Sequence, residues 1–320
     1  MANVFPLDDM EAIPKTSLSS RRRVPYMSFR KNLTPRYARV FFDILFGYVF
    51  LGAGVVVPIV LWRAHPPWVF PLCLVSALST GYWIAYLLLF IHEAAHFNIA
   101  PAKKWNDFLS NLLIGSWAGQ NTASYRTLHW DHHRFLGRIN DTEHSYFDPL
   151  NLWFFVKTLS GIAAVQVLFF RRKHLKTQKT FLDKIMPLAG LALQGSIAGI
   201  LFFLKAAPFA GAWAAGAFLF FPFFGALRQL LEHRGDKAKA SFNYTQVPHG
   251  KHTRIFREGP IASTFGAAGF TRHLIHHWDP QISYTRLGEV ETFLMETRLK
   301  QSLNAVKTTY RKTFFRLLEL

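Results

Sequence analysis

Histidines recur at helical spacing in three places along the chain. His92 and His96 stand four residues apart in HEAAH, while HWDHH and HLIHH each place three histidines at positions i, i+3 and i+4. These clusters contain His92, His96, His129, His132, His133, His273, His276 and His277. Because residues three and four apart share one face of an α-helix, each cluster is expected to aim its imidazoles at one point. Neutral imidazole is the commonest protein ligand for metals, so the pattern predicts metal binding.

Three other interpretations explain the histidines less completely. HEAAH also matches the zincin helix HExxH, in which the glutamate is a general base beside one zinc, but HWDHH and HLIHH then stay unexplained. Caps of helices or a solvated basic face would explain one cluster, and not three clusters with eight of the fourteen histidines. A metal transporter or sensor would favour ionisable residues deep inside the membrane spans, where this sequence has almost none.

Four apolar stretches are long enough to cross the roughly 30 Å hydrocarbon core of a bilayer as helices. They cover about 41–62, 68–91, 185–204 and 209–227. The first histidine cluster follows the second stretch directly, and RQLLEHRGD at the end of the fourth places Gln229 and His233 four residues apart. We predict His233 as a ninth metal ligand, with Gln229 as a weaker candidate that holds a metal-bound water. Gly195 and Gly199, four residues apart, would permit a close helix approach in the third stretch.

The stretch 151–170 is also apolar, and the distribution of basic residues decides how it is interpreted. With four spans and a cytoplasmic N-terminus, the outer loops contain only Arg63 and Lys205 among 37 Lys and Arg. A fifth span would export the basic segment RRKHLKTQKTFLDK and place the last histidine cluster on the opposite side from the others. We therefore predict that 151–170 is an interfacial or re-entrant helix.

Together these features predict an all-α polytopic membrane protein with four transmembrane helices, interfacial helices and a cytoplasmic histidine-rich cap. We expect a basic cytoplasmic tail over 1–40, the membrane and metal domain over 41–290, and a cytoplasmic C-terminal helix over 291–320. Both termini would face the cytoplasm, in a bacterial inner membrane or an ER-type membrane. The net charge of +18 then reflects membrane orientation and does not indicate nucleic acid.

The order HExxH, HxxHH, HxxHH, with two spans before the first box and two between the second and third, resembles the membrane fatty acid desaturase and hydroxylase superfamily. HWDHHRFLGRINDTEHSYFD is similar to that family's second box and its downstream acidic segment. The resemblance covers about residues 40–290. It implies a non-haem centre of two iron ions, held by the eight box histidines with His233. One departure is Gln229, since some members have asparagine there.

The resemblance also implies a reaction. Members use O₂ and two electrons from a carrier to remove hydrogen from an unactivated C–H bond, which predicts desaturation of a fatty acyl chain in a lipid, CoA or carrier ester. Hydroxylation or ketolation of a lipid or carotenoid by the same centre is the alternative. The sequence contains no haem-binding HPGG. We therefore expect a separate electron carrier, such as a ferredoxin or cytochrome b5, and an acidic one because the cap is basic.

Further residues near the boxes have weaker predicted roles. Acids that could orient imidazole N–H groups are Glu93, Asp131, Asp141, Glu143, Glu232 and Asp279. The segment 108–117 is predicted to form an amphipathic interfacial helix. Apolar residues that could contact a lipid tail are Trp105, Phe108, Leu112, Trp117, Trp153, Phe154 and Phe155. No role is predicted for His65, His144, His174, His249 and His252.

Overall fold

The computed structural model describes residues 13–174 and 180–319. Its α-helices are α1 (Tyr26–Arg30), α2 (Tyr37–Ala64), α3 (Val69–Ala95), α4 (Lys103–Ser110), α5 (Ser116–Ala118), α6 (Thr122–Phe135), α7 (Leu152–Leu159), α8 (Ile162–His174), α9 (Phe181–Phe203), α10 (Ala207–Ala215), α11 (Phe221–His233), α12 (Pro260–Phe265), α13 (His273–Trp278), α14 (Tyr284–Met295), α15 (Lys300–Ala305) and α16 (Tyr310–Leu317). Within the described ranges the strands are β1 (Ile255–Phe256) and β2 (Lys307–Thr308), which pair in parallel. The predicted all-α fold is confirmed.

The chain divides into two compact units. The span unit comprises Val40–Asp131 and Asn151–Leu227. The terminal unit comprises the described residues up to Arg39, His132–Leu150 and the chain from Arg228 onward. Helices α6 and α11 each contribute residues to both units.

Four helices of the described ranges are long and apolar enough to cross a membrane. They cover Tyr37–Ala64, Pro66–Ala95, Phe181–Phe203 and Ala207–His233. The last of these joins α10 to α11 through a π-helical turn at Gly216–Phe220, and Pro222 lies directly after that turn. The four predicted spans are therefore present, and the protein is an integral membrane protein.

Glycines allow the helices of the span unit to approach closely. A Cβ atom at Gly54 would lie 1.9 Å from Ser79 Oγ, and one at Gly81 would lie 2.4 Å from Phe220 Cβ. The close approach that Gly195 and Gly199 would permit is not used, because nothing in the described structure lies within 4 Å of a Cβ at either position. Small-residue spacing indicates where helices can meet, and the packing of neighbouring helices decides where they do.

The apolar stretch 151–170 does not form a straight helix. It contains α7 and the first part of α8, which meet at an angle of 75°. Gly161 lies at the bend with a φ of +80°, a left-handed conformation that glycine adopts without strain. The geometry suits either a broken span or a re-entrant segment, so the interfacial or re-entrant placement stays a prediction.

The predicted cytoplasmic tail is part of the core of the terminal unit, as far as it is described; residues 1–12 lie outside the described ranges. Leu18 and Tyr26 are buried in a cluster with Trp278 and Leu294. The Tyr26 hydroxyl donates to Asp279 at 2.9 Å. Although the N-terminal segment is basic in composition, its described part therefore packs against the helix of the third histidine box.

The C-terminal segment 291–320, predicted as one helix, is broken in the structure. It consists of the end of α14, then α15, β2 and α16. Thr308 of β2 pairs with Phe256 of β1, and Thr309 caps α16 by accepting the Lys312 N–H at 3.1 Å. This threonine-capped start and the strand pair interrupt the helix that the mixed surface pattern predicted.

Candidate metal centre

The terminal unit brings four of the predicted histidines to one point. His132 lies in the last turn of α6, His233 ends α11, and His273 and His277 lie one turn apart on α13. Their candidate ligand atoms all lie within 4.8 Å of one another, and all four side chains are buried. Nε2 of His273 lies 2.9 Å from Nε2 of His233 and 3.2 Å from Nε2 of His277. Four imidazoles from three helices therefore converge, and three of them meet through Nε2.

Hydrogen bonds at Nδ1 fix the orientation of two of these rings. Nδ1 of His132 lies 2.8 and 3.1 Å from the two carboxylate oxygens of Asp141. Nδ1 of His233 lies 3.0 Å from the carbonyl oxygen of His252. Because carboxylate and carbonyl oxygens accept hydrogen bonds, Nδ1 carries the proton in both rings. The lone pair is then on Nε2, which faces the cluster.

The local electrostatics favour neutral rings, the form that binds a metal. Burial lowers the pKa of His277 well below its ordinary value, and the neighbouring histidines lower it further. Several imidazole lone pairs directed at one buried point repel each other unless a cation lies between them. The donor set therefore fits a transition metal, and nitrogen ligands of this kind suit iron, zinc or copper.

The other predicted histidines form two groups, each within one unit. In the terminal unit, Nε2 of His133 and Nε2 of His276 are 3.1 Å apart. In the span unit, Nε2 of His96 and Nε2 of His129 are 2.9 Å apart, and the rings of His92 and His129 have centroids 4.4 Å apart. Burial, and then the positive charge of Arg126, lower the pKa of His96 to about 3, so this ring is neutral at physiological pH.

Asp141 anchors the segment that follows the second histidine box. Its carboxylate is buried and accepts hydrogen bonds from His132, from the Tyr146 hydroxyl and from the Glu143 N–H. Burial, and then the adjacent charge of Asp141, raise the pKa of Tyr146, which keeps the phenol protonated and able to donate. Of the predicted acidic neighbours, Asp141 therefore has the contact with a cluster histidine that orientation requires.

Other predicted acids of the terminal unit have different partners. Asp279 pairs with Arg30 at 2.7 Å and with Tyr26, and Glu232 accepts from Arg228 at 2.7 Å and from Tyr310 at 3.0 Å. In the span unit, Glu93 lies with one carboxylate oxygen 3.7 Å from Nδ1 of His92. Asp279 and Glu232 therefore brace helices α13 and α11.

Gln229 lies beside the cluster with both ends of its amide engaged. Its Oε1 accepts the Ser145 N–H at 3.1 Å, and its Nε2 donates to Glu143. Glu143 in turn has a carboxylate oxygen 3.8 Å from Nε2 of His132, on the metal-facing side of that ring. Gln229 thus holds Glu143 next to the cluster, while its role with a metal-bound water stays a prediction.

A buried segment connects the elements that carry the cluster. The carbonyl of His252 accepts from His233, and the carbonyl of Arg254 accepts the Leu274 N–H at 3.1 Å in α13. The guanidinium of Arg254, only 2% exposed, donates to the carbonyls of Leu231 and Arg234 at 2.7 and 2.6 Å at the end of α11. Residues 252–254 therefore fix two ligand-bearing helices together.

Sequence reasoning missed these supporting residues. The partner of His233 is the main-chain carbonyl of His252. Because every residue has a main-chain carbonyl, no side-chain pattern in the sequence predicts this contact. Arg254 is a buried arginine in a basic chain, and its type does not distinguish it from exposed ones. Tyr146 follows the second box closely, and its position between two acids was the available signal.

The apolar residues predicted near a lipid tail differ in exposure. Trp105, Phe108, Leu112 and Trp153 are more than half exposed, which suits contact with membrane lipid. Phe154 is buried. Trp117 donates through its indole N–H to the Tyr48 hydroxyl at 2.9 Å. The 108–117 segment contains the end of α4, a π-turn at Asn111–Gly115 and part of α5, so it is helical but not one regular helix.

Helices able to span a membrane and a buried cluster of imidazole nitrogens together fit a membrane protein that binds a metal. A family model described as fatty acid desaturase matches residues 66–309, which is most of the chain and includes all three histidine boxes. The chain belongs to the fatty acid desaturase family, whose activity is oxidation of lipids. The family implies an oxidoreductase and a lipid substrate, and the histidine clusters are consistent with iron. No individual curated protein gives a significant match.

Proposed function

We propose that this protein desaturates a fatty acyl chain, presented as a lipid, CoA or carrier ester, with O₂ and two electrons. The overall reaction removes two hydrogens from adjacent carbons, and the electrons and two protons complete the reduction of O₂ to two waters. The observation that carries the proposal is the four-histidine cluster, with the tautomers of His132 and His233 fixed so that Nε2 faces inward.

We assign the ligands as two sets. One iron would be held by His132, His233, His273 and His277. The other predicted ligands of the di-iron centre are His92, His96, His129, His133 and His276. Bound iron would supply the redox chemistry that activates O₂ and takes hydrogen from an unactivated methylene, which zinc cannot do. The protein itself keeps these imidazoles neutral, fixes their orientation and shields them from water.

Named side chains perform that task. Asp141 holds His132 in the tautomer that presents Nε2, and its charge increases the basicity of the ring. The His252 carbonyl does the same for His233 without adding charge. Glu143, steadied by Gln229, lies where it can accept or return a proton at the metal-facing side of His132.

The remaining parts of the proposal concern the surroundings. We infer that both termini face the cytoplasm of a bacterial inner membrane or an ER-type membrane, because that orientation keeps nearly all basic residues inside. Electrons come from a separate carrier protein such as a ferredoxin or a cytochrome b5. The acyl chain reaches the centre from the bilayer.

The test is lipid analysis of cells that express the full chain, with iron and a donor system present. We expect a new double bond with wild-type protein, none with His132→Ala, and wild-type product with His65→Ala, a matched control in the loop between the first two spans. A product with one added oxygen would overturn desaturation in favour of hydroxylation. Unchanged lipids in cells whose purified protein contains iron would contradict lipid oxidation altogether.

A further inference from the structure

A long basic loop connects the end of α11 to β1 in the terminal unit. We define the basic loop as residues 235–251, which contain Lys237, Lys239 and Lys251 and a single acid, Asp236. Asp236 is already paired, with Arg254 at 2.6 Å and with Arg316 at 3.0 Å. Lys237 and Lys239 are exposed. Lys237 and Lys239 therefore present positive charge at the surface of the loop.

Aromatic rings lead from this loop to the four-histidine cluster. Phe242 is 52% exposed at the surface. Successive ring centroids are 6.2 Å apart from Phe242 to Tyr244, 4.7 Å to His249, 5.1 Å to Tyr146 and 5.3 Å to His233. All five residues lie in the terminal unit, and the last is a proposed metal ligand. The rings thus form a continuous path of near-contact steps from the surface to the site.

The surface end of this path is concave. A cleft of about 250 Å³ is lined by Phe147, Asp148 and Pro149 on one side and by residues 240–245 on the other. Tyr244 lines this cleft and packs in a buried cluster with Leu136, Tyr146 and Phe147. A cleft beside an exposed phenylalanine and two exposed lysines can receive a side chain of a docked protein.

We propose that the basic loop is the docking surface for the electron carrier, an acidic one-electron protein, and that electrons reach the metal centre along Phe242, Tyr244, His249, Tyr146 and His233. The proposal rests on the proposed function, which needs two external electrons per turnover. Each docking oxidises one reduced carrier and reduces one ferric ion to ferrous, so two dockings supply both electrons. Electron tunnelling weakens steeply with distance, which favours entry where packed rings shorten the gap to His233.

The electrostatic test compares two double variants with the same change in net charge. Lys237→Glu with Lys239→Glu reverses the exposed charge of the basic loop, and Lys31→Glu with Lys300→Glu reverses two exposed lysines on other elements of the terminal unit. The iron-loaded full chain in detergent is mixed rapidly with a reduced, acidic [2Fe–2S] ferredoxin or with dithionite. The rate of ferric-iron reduction is followed optically.

We expect the ferredoxin rate constant of the loop variant to fall about tenfold at low salt, and the difference to shrink at high salt. The Lys31/Lys300 variant should change by less than about threefold, and dithionite should reduce all proteins at the same rate. Equal slowing of both variants, or of neither, would overturn the docking surface. Slowing with dithionite as well would show that the loop supports the site or the lipid instead of a carrier.

The ring path has its own test at saturating ferredoxin. Tyr244→Leu removes one ring between Phe242 and His249, whereas Tyr244→Phe keeps it. We expect the limiting reduction rate to fall at least about fivefold for leucine and to stay near wild type for phenylalanine, with unchanged iron content and salt dependence. Equal rates for the two variants would refute the path.

The outcomes separate this inference from the proposed function. If wild-type protein binds no iron, or oxidises no lipid after it is reduced anaerobically with dithionite, freed of excess dithionite and exposed to O₂, the proposed function fails. If dithionite supports lipid oxidation while reduced ferredoxin does not reduce wild-type protein at all, the function stands and the acidic-carrier docking surface is wrong.

Discussion

Replacing Asp141 with asparagine changes one atom of the site and tests how the four-histidine cluster is held. The carboxylate accepts hydrogen bonds from His132 Nδ1, the Tyr146 hydroxyl and the Glu143 N–H. Asparagine has the same shape but only one oxygen that accepts hydrogen bonds. Its amide NH₂ group would lie opposite one of the groups that now donate to the carboxylate. The substitution also removes the negative charge that keeps His132 basic.

The expected loss of metal affinity in Asp141→Asn follows from the hydrogen bonds that the substitution removes. A hydrogen bond to a charged group is worth about 1.5–3 kcal/mol and a neutral one about 1 kcal/mol, so the exchange at His132 costs about 1–2 kcal/mol. That corresponds to a loss of roughly tenfold in metal affinity, at the lower end of the roughly 10–100-fold effects seen for such supporting residues. Tyr146→Phe removes one donor and leaves the charge, so its effect should be smaller.

The assay is anaerobic equilibration of the purified full chain with ferrous iron buffered by a graded series of chelator concentrations. Bound iron is then counted by mass spectrometry. Asp148→Asn, in the same segment, is the matched control and should bind iron like wild type. A monodisperse elution profile for each variant excludes misfolding. If Asp141→Asn held iron as tightly as wild type, the argument that Asp141 fixes the tautomer of His132 would be refuted.

Three further predictions concern the elements around the cluster. Arg254→Lys keeps the charge but cannot reach both helix-end carbonyls and Asp236, so it should destabilise the protein by about 3 kcal/mol, seen as a lower thermal midpoint. Gly137→Ala should destabilise far more than Gly161→Ala: both glycines have positive φ, but a Cβ only at Gly137 meets a backbone oxygen, at 2.3 Å. Burial lowers the pKa of His249 to about 4, so the unfolded chain binds more protons below about pH 6.5 and stability falls as the pH falls through that window. Metal-free wild-type protein should therefore have a lower thermal midpoint at pH 5 than at pH 7. The loss of unfolding free energy over this range should be smaller in His249→Gln, by at most about 2 kcal/mol. Equal losses in the two proteins would contradict the assignment to His249.

The parts of the fold that depend on regular periodicity could be predicted from the sequence. Long apolar runs located the four membrane helices, and the i, i+3, i+4 spacing predicted that His273 and His277 share a face of one helix. His233 was found because it follows the fourth span at the point where the helix leaves the membrane. Each of these signals lies within one continuous segment of the chain, which a single sequence records.

The rest depends on contacts between segments that are distant in the chain. Leu18 and Tyr26 pack against Trp278, some 250 residues away, and no local pattern in a basic segment indicates this. The two-residue strands β1 and β2 are too short to give an alternating pattern, yet their pairing interrupts the predicted C-terminal helix. The carbonyl of His252 supports His233 through the main chain, which sequence identity does not encode.

Metal analysis of the protein purified from cells grown on ⁵⁷Fe shows whether its histidines hold two iron ions. We expect about two irons per chain by mass spectrometry, with Mössbauer parameters of nitrogen-ligated non-haem iron. His273→Ala should reduce the count, whereas His65→Ala should not. One zinc per chain and no iron would contradict the account.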